Sequence, residues 1–390
     1  MKQPSLLWAV ALLTLFFVSS CSSINREQGA LKSFSKSSYV TGEFRGVWLR
    51  PPQKIEEIPL ILDRIQKAGF NVLFLETLYH GHVIFPGSPF PERPEYKGRG
   101  VLQIFIREAH QRGIAVHCWT EVFYLQVDTE KYPQFPEAPL FKDHPEWLLL
   151  TREGQRSDVS ESAHIFGDPA NPGLRNFLLA FYKDLAARYD IDGINLDYIR
   201  YSAGSRDTGY TACAREAFRS EAGIDPKEID REKNPDLWMR WVKWREDQVT
   251  NFVLRVSGTV KEIKPDMILS TAVFPEYYKT RGDHVTFQDW AAWLETAPLD
   301  LIIPMAYASS LEGIRGEIRE VIQRNPRNTW IIPALALSTK TGSEYQAPDH
   351  PPIFDQIALV RSLKLKGHSV FCYDWILQNP KGFEAFKKVY

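Results

Sequence analysis

The ten residues Asp192-Gly193-Ile194-Asn195-Leu196-Asp197-Tyr198-Ile199-Arg200-Tyr201 follow an amphipathic helical segment, 174–189, and read as one buried strand whose far end turns polar. The same unit recurs outward from it. Upstream, apolar runs at 45–51, 71–78 and 114–125 alternate with helical spacing at 56–68, stopped by Gly69, and at 101–112, stopped by Gly113. Downstream, runs at 267–274, 301–307, 329–337 and 368–375 are separated by helical segments at 234–263, 289–295, 314–324 and 353–366. Eight runs of Val, Ile, Leu and aromatics without strict alternation, joined by helices, predict parallel strands buried on both faces. The fold class is α/β, a single (β/α)8 TIM barrel, which needs roughly 250 residues and leaves room for long loops after strands two, three and four. An open doubly wound sheet is the competing topology, but no Gly-rich phosphate loop follows the first run.

The chain has 390 residues, 47 Lys plus Arg against 48 Asp plus Glu, and 44% apolar residues. That composition excludes disorder as the main state, and a net charge of −1 with no basic block excludes the footprint of a nucleic-acid binder. A mean hydropathy of −0.29 and the absence of a second long apolar run exclude a polytopic membrane protein. The first run of that kind, 6–18 after Lys2, has the form of a secretion signal. It ends in Val18-Ser19-Ser20-Cys21, which resembles a bacterial lipobox, against the plainer reading of an ordinary signal peptide. The predicted organisation is a lipoprotein signal peptide at 1–20, a Ser-rich tether at 21–42 lipidated on Cys21, and a barrel at 43–390. A membrane partner through the lipid anchor follows, outside the cytoplasm, with Ser22 resembling the retention residue of outer-membrane lipoproteins in a Gram-negative host. The other cysteines, Cys118, Cys213 and Cys372, are far apart and show no CxxC spacing, so neither a disulfide framework nor a zinc ribbon is indicated.

Sites of such barrels lie at the carboxyl ends of the strands. The polar residues there are Arg50, Glu76, His117, Glu121, Asp197, Arg200, Glu276, Tyr307 and Asp374, while the seventh run ends in Ser338, Thr339 and Lys340. Carboxylates without a nucleophile-elbow serine, an HExxH pair or a phosphate loop point to glycosidic bond hydrolysis, in which one group protonates the leaving oxygen and another attacks or activates water. Trp48, Trp119 and Trp375 are candidates to face a cleft and stack on sugar rings. No cofactor and no metal is called for: no carboxylate or cysteine joins His80, His82 and His117 into one set at short ligand spacing. Asp192, ahead of its strand, reads as a cap for backbone amides, and Glu276, after Phe274-Pro275, reads either as a sugar ligand or as a solvated loop charge.

The Asp192–Tyr201 string, the opening Arg45-Gly46-Val47-Trp48-Leu49 and the stretch Glu108-Ala109-His110 with Gly113-Ile114-Ala115-Val116-His117-Cys118-Trp119 together resemble the glycosyl hydrolase-like family 10 proteins, over residues 44 to about 375. The resemblance implies an envelope or secreted barrel that cuts glycans, with Asp197 as the acidic residue at the mouth of strand four. It brings in peptidoglycan strands stripped of their peptides as one candidate substrate. The same string and Met305-Ala306-Tyr307 also look like motifs of the family 18 chitinases, but Ile199 stands where those enzymes carry their proton-donating glutamate. Isoleucine has no proton to give, so the acid must come from elsewhere, and Glu121 in Trp119-Thr120-Glu121 is the best placed.

The assignment is therefore Glu121 and Asp197 as catalytic residues, with Arg50, Glu76, Trp119, Arg200, Glu276, Tyr307, Asp374 and Trp375 binding an oligosaccharide or polysaccharide. An apolar wall of Trp119 or Phe123 is expected to keep Glu121 protonated, and Arg200 is either the ion-pair partner that keeps Asp197 charged or a sugar ligand. Against the hydrolase stands a non-catalytic barrel that binds glycans or envelope proteins.

Overall fold

The computed structural model describes residues 42–157, 163–203, 207–277, 286–337, 350–378 and 382–390. The signal segment, Cys21, nearly all of the tether and Ser338, Thr339 and Lys340 lie outside the described residues.

The barrel strands are β1 (Phe44–Leu49), β2 (Val72–Tyr79), β3 (Ala115–Glu121), β4 (Gly193–Asp197), β5 (Ile268–Val273), β6 (Leu301–Ala306), β7 (Ala334–Ala336) and β8 (Gly367–Phe371). Each pairs in parallel with the next, and β1 pairs with both β2 and β8, which closes the ring. The helices that follow them include α1 (Ile58–Lys67), α2 (Val101–Gln111), α3 (Pro172–Arg188), α4 (Pro235–Ile263), α5 (Trp290–Thr296), α6 (Leu311–Gln323), α7 (Ile353–Ser362) and α8 (Tyr373–Gln378).

Successive residues of a strand point to opposite faces, and here both faces are apolar. Phe44 and Trp48 of β1, Val72 and Phe74 of β2, and Ala115 and Trp119 of β3 fill the barrel. Val47, Leu73, Leu75, Val116 and Cys118 face outward, in the layer packed by the helices. This is why the strands read as continuous apolar runs rather than alternating ones. Gly193 leaves room inside the barrel, because a Cβ there would lie 2.8 Å from the His117 ring and from the Ile268 carbonyl oxygen. Asp192 ties two strands together: its Oδ2 accepts from the Val116 amide and also bonds to His110 Nε2 of α2, both at 2.8 Å.

Three elements depart from the sequence reading. The third run does not continue to Leu125: β3 stops at Glu121, and Tyr124–Val127 leaves the barrel to form an antiparallel ribbon with His164–Phe166. The seventh run is split into Trp330–Ile331 and β7, with Pro333, which has no N–H to give a ladder, between them. The eighth strand ends at Phe371, so Asp374 and Trp375 lie on α8 rather than on a strand. A helix in the loop after β4, Ala212–Ala222, was not anticipated. It buries only Ala214 and Phe218, too thin an apolar stripe to stand out, although Thr211 caps it through the Ala214 amide.

Candidate active site

Glu76, Glu121 and Asp197 come from the adjacent strands β2, β3 and β4. Interior side chains recur at every second residue, so Glu121 follows His117 and Trp119 inward, and the register pairs it directly with Asp197. Glu76 follows Phe74 inward and pairs with Trp119, just before an irregularity in β2 between Glu76 and Leu78. Glu76 and Glu121 are each 2% exposed. Adjacent strands lie roughly 4.8 Å apart, so these carboxyls crowd one mouth.

Each has a different set of partners. Arg50, just past β1, places its Nε 3.3 Å from Glu76 Oε1. Its guanidinium lies over Trp119 at 5.4 Å, Phe371 at 5.8 Å and Tyr79 at 5.9 Å from the ring centroids. Asp197 has two donors: the Trp119 indole N–H to Oδ2 at 2.9 Å and the Tyr198 amide to Oδ1 at 2.7 Å. Glu121 Oε2 accepts from the His80 amide at 2.9 Å. Both amide donors belong to residues in the left-handed region, His80 at φ 48° and Tyr198 at φ 49°. Such a backbone costs of order 1–3 kcal/mol for a residue with a side chain and persists only where its surroundings fix it.

The electrostatics follow from these sets. Burial raises the Glu121 carboxyl well above the usual range, the charges of Glu76 and Asp197 raise it further, and the His80 amide and Arg50 only partly oppose them. Burial lifts Glu76 to about 7 against the pull of Arg50 and Arg93. Asp197 is also raised by burial, with its two N–H donors, Arg200 and Arg50 pulling the other way. Arg200 therefore does not hold Asp197 below its ordinary value, as the ion-pair reading anticipated. Its buried guanidinium sits among the rings of Tyr198, Phe166 and Phe274, at 4.9, 5.2 and 5.2 Å, and donates to the Tyr201 carbonyl. The expected apolar wall is also different. Phe123 points into the outer core against Phe252, and Trp119 serves Asp197, so the neighbouring carboxylates join burial in raising Glu121.

The remaining candidates scatter around this centre. Tyr307 is half-buried, and burial together with the Asp197 charge raises its hydroxyl. Asp374 is exposed, and Trp375 is half-buried edge-on to Phe371 at 5.3 Å. Glu276 is half-buried just beyond β5. Trp48 does not face a cleft: it stacks on Phe74 at 4.4 Å inside the barrel and donates to Ser369 Oγ. Ile199 is fully buried in the outer core. The three histidines are engaged separately, His80 Nε2 with the Tyr124 hydroxyl, His82 Nδ1 with the His80 carbonyl, and His117 between Phe44 and Phe74. Among the described residues no group of His, Cys, Asp and Glu is arranged to hold a metal ion.

Sequence reasoning missed Tyr79, Arg93, Tyr124 and Tyr198. Arg93 lies 5.2 Å over the Tyr79 ring, which in turn stacks on His80 at 3.6 Å. Tyr79-His80-Gly81 at the polar end of the second run was the available signal.

A carboxyl raised by burial beside one that accepts two N–H bonds, at the top of a barrel, is an arrangement that can supply acid and partner for glycoside hydrolysis. Residues 37–335 match the family model described as glycosyl hydrolase-like 10. The chain belongs to that family. Proteins similar to this chain include the glycosyl hydrolase DigH of Escherichia coli K12, 24% identical over 362 residues that cover 78% of this chain and 75% of that protein. The glycosyl hydrolase YngK of Bacillus subtilis is 22% identical, over 85% of this chain and 65% of its own length. The solved glycoside hydrolase domain of PgaB (BpsB) from Bordetella bronchiseptica superposes with a TM-score of 0.66 at 17% identity, covering 89% of this chain and 98% of that domain, which shows the shared barrel. All three carboxylates of this family 10-like mouth fall within the matched residues.

Removing the cation should expose the coupling. Arg50→Met takes away the charge that opposes burial at Glu76, so carboxyl-carbon NMR titration should move Glu76 upward from about 7 by roughly one unit or more. An unchanged Glu76 midpoint would show that Arg50 is not its counter-charge.

Proposed function

We propose that this chain is a lipid-anchored glycoside hydrolase of the cell envelope that cleaves O-glycosidic bonds of a polysaccharide, with Glu121 as general acid and Asp197 as its partner. The observation that carries the reading is the unequal treatment of two register neighbours: Asp197 has two N–H donors that favour its anion, whereas Glu121 faces two other carboxylates across buried ground. Glu121 gives its proton to the leaving oxygen as the bond to the anomeric carbon breaks. Asp197, ionised, supports the positive charge that develops on the sugar and acts as nucleophile or as base for the attacking water; the anomer first released distinguishes the two. Water supplies the hydroxyl of the new reducing end and the proton that returns to Glu121. Arg50 and Glu76 hold sugar hydroxyls, and Trp119, Tyr307 and Trp375 supply aromatic surface beside them. Glu276 and Asp374 extend the binding surface outward, while Arg200, buried among aromatic rings, braces the site from behind. The candidate polymer is an envelope glycan, with peptidoglycan strands lacking peptides among those to be tried.

Glu121→Gln keeps the shape and removes the proton, so turnover on a natural glycan should fall at least roughly 100-fold. An aryl glycoside, whose leaving group needs little protonation, should lose much less. Near-native turnover of Glu121→Gln on the natural glycan, with Glu76→Gln inactive, would move the acid to Glu76. The anchor is tested by labelled palmitate: the native chain should incorporate it and partition with membranes, whereas Cys21→Ala should do neither. Equal partitioning of both chains would remove the anchor from the proposal.

A further inference from the structure

The two catalytic carboxylates of the proposed hydrolase accept from the amides of His80 and Tyr198, and both of those residues are left-handed without being glycine. A side chain makes this conformation unfavourable, so something outside the local backbone must hold each peptide in place. One ring touches both. Tyr124, the first residue of the ribbon strand after β3, is 3% exposed. It packs against Tyr198 at 4.9 Å and against the His80 ring at 5.0 Å. Its hydroxyl and His80 Nε2 share a hydrogen bond of 2.8 Å. One face of His80 is covered by Tyr79, stacked at 3.6 Å, and Phe135 meets it at a right angle at 4.7 Å, so the imidazole is fixed on several sides. His164 and Phe166, from the partner strand of the ribbon, back the Tyr124 ring at 4.4 and 5.6 Å.

The consequence for Glu121 is a matter of donors and acceptors. A protonated carboxyl has one carbonyl-type oxygen and one hydroxyl, and the carbonyl-type oxygen is the stronger acceptor for an amide N–H. The His80 amide occupies Oε2. That bond favours the proton on Oε1.

We propose that Tyr124 and His80 are positioning residues for Glu121: the Tyr124 hydroxyl fixes the His80 ring, the ring fixes the left-handed peptide, and the peptide amide holds Oε2 so that the proton stays on Oε1. The inference rests on Glu121 being the acid. It gives the ribbon, an insertion outside the barrel, a defined part in the reaction. The same ring packs against Tyr198, whose amide serves Asp197, and that ring contact is kept when the hydroxyl is removed. Tyr124→Phe therefore separates the two arms.

The test reads protonation directly and needs no substrate. In the full chain, infrared difference spectra across a pH titration give the stretch of each protonated carboxyl, assigned by its loss in Glu121→Gln and in Asp197→Asn. The charged and titratable groups facing Glu121 are Glu76 and Tyr79 from β2, Asp197 from β4 and Arg50 from the end of β1, and all are left unchanged. An amide bonded to a carboxyl favours its anion, so loosening the His80 peptide should move the Glu121 midpoint up, by about one pH unit, in Tyr124→Phe. The Asp197 midpoint should stay. His80→Gly retains the amide and accepts the left-handed backbone without strain but has no ring to anchor, and should shift Glu121 in the same direction. General loosening of the site would admit water and move Glu121 down, toward an ordinary glutamate. A Glu121 midpoint that stays or falls in both variants overturns the positioning role while leaving the acid in place. Absence of any band lost in Glu121→Gln that titrates above the ordinary glutamate range overturns the acid assignment and this inference together.

Discussion

Three carboxyls crowded side by side, Glu76 and Glu121 buried and Asp197 half-buried, resist being charged together, and the mouth of this barrel is organised around that constraint. Each buried anion costs several kcal/mol unless it is paired or hydrogen-bonded. Glu76 has the Arg50 guanidinium and Asp197 has the Trp119 and Tyr198 N–H groups, while Glu121 accepts from one backbone amide among the described residues. Burial and these unequal partners raise the Glu121 carboxyl well above the ordinary glutamate range. Burial does most of this, and the charges of Glu76 and Asp197 add to it.

The closed sheet makes the crowding unavoidable. Parallel pairing of β3 with β4 sets Glu121 against Asp197, and the alternation of faces sends both inward. Beneath them, Trp48, Phe74 and Trp119 form an aromatic floor, with Trp48 edge-on to Trp119 at 5.1 Å and stacked on Phe74. That floor fills the barrel beneath the carboxyls and keeps water from reaching them from below. Gly193 and Asp192 do their work lower down: one makes space for His117, the other ties β4 to the start of β3 and to α2.

Much of this was legible in the sequence, for a physical reason. Parallel strands covered on both faces leave unbroken apolar runs, and the first polar residue after each run marks the barrel mouth, which is how Glu76, Glu121 and Asp197 were found. What the runs do not carry is where a strand leaves the sheet. The runs ending at Leu125 and Trp375 each joined a strand to a different element, because Tyr124 and Leu125 of the ribbon and Tyr373 of α8 are as apolar as the strands before them. Backbone handedness at His80 and Tyr198 was equally hidden, since neither is glycine. The charge balance needed the fold itself. Arg200 is three residues from Asp197 in sequence and looked like its counter-ion, yet its guanidinium is packed among aromatic rings, and burial outweighs its pull on Asp197.

The central claim is that this mouth cleaves an O-glycosidic bond with water, and isotope incorporation tests it most directly. Purified chain is incubated with envelope glycan strands in water enriched in oxygen-18, and the products are weighed by mass spectrometry. The account predicts shortened chains that each carry one heavy oxygen, located at the new reducing end, with no label in the parent strand. Intact strands without label, although the same strands bind the protein, would contradict it and leave a barrel that holds glycans without cutting them.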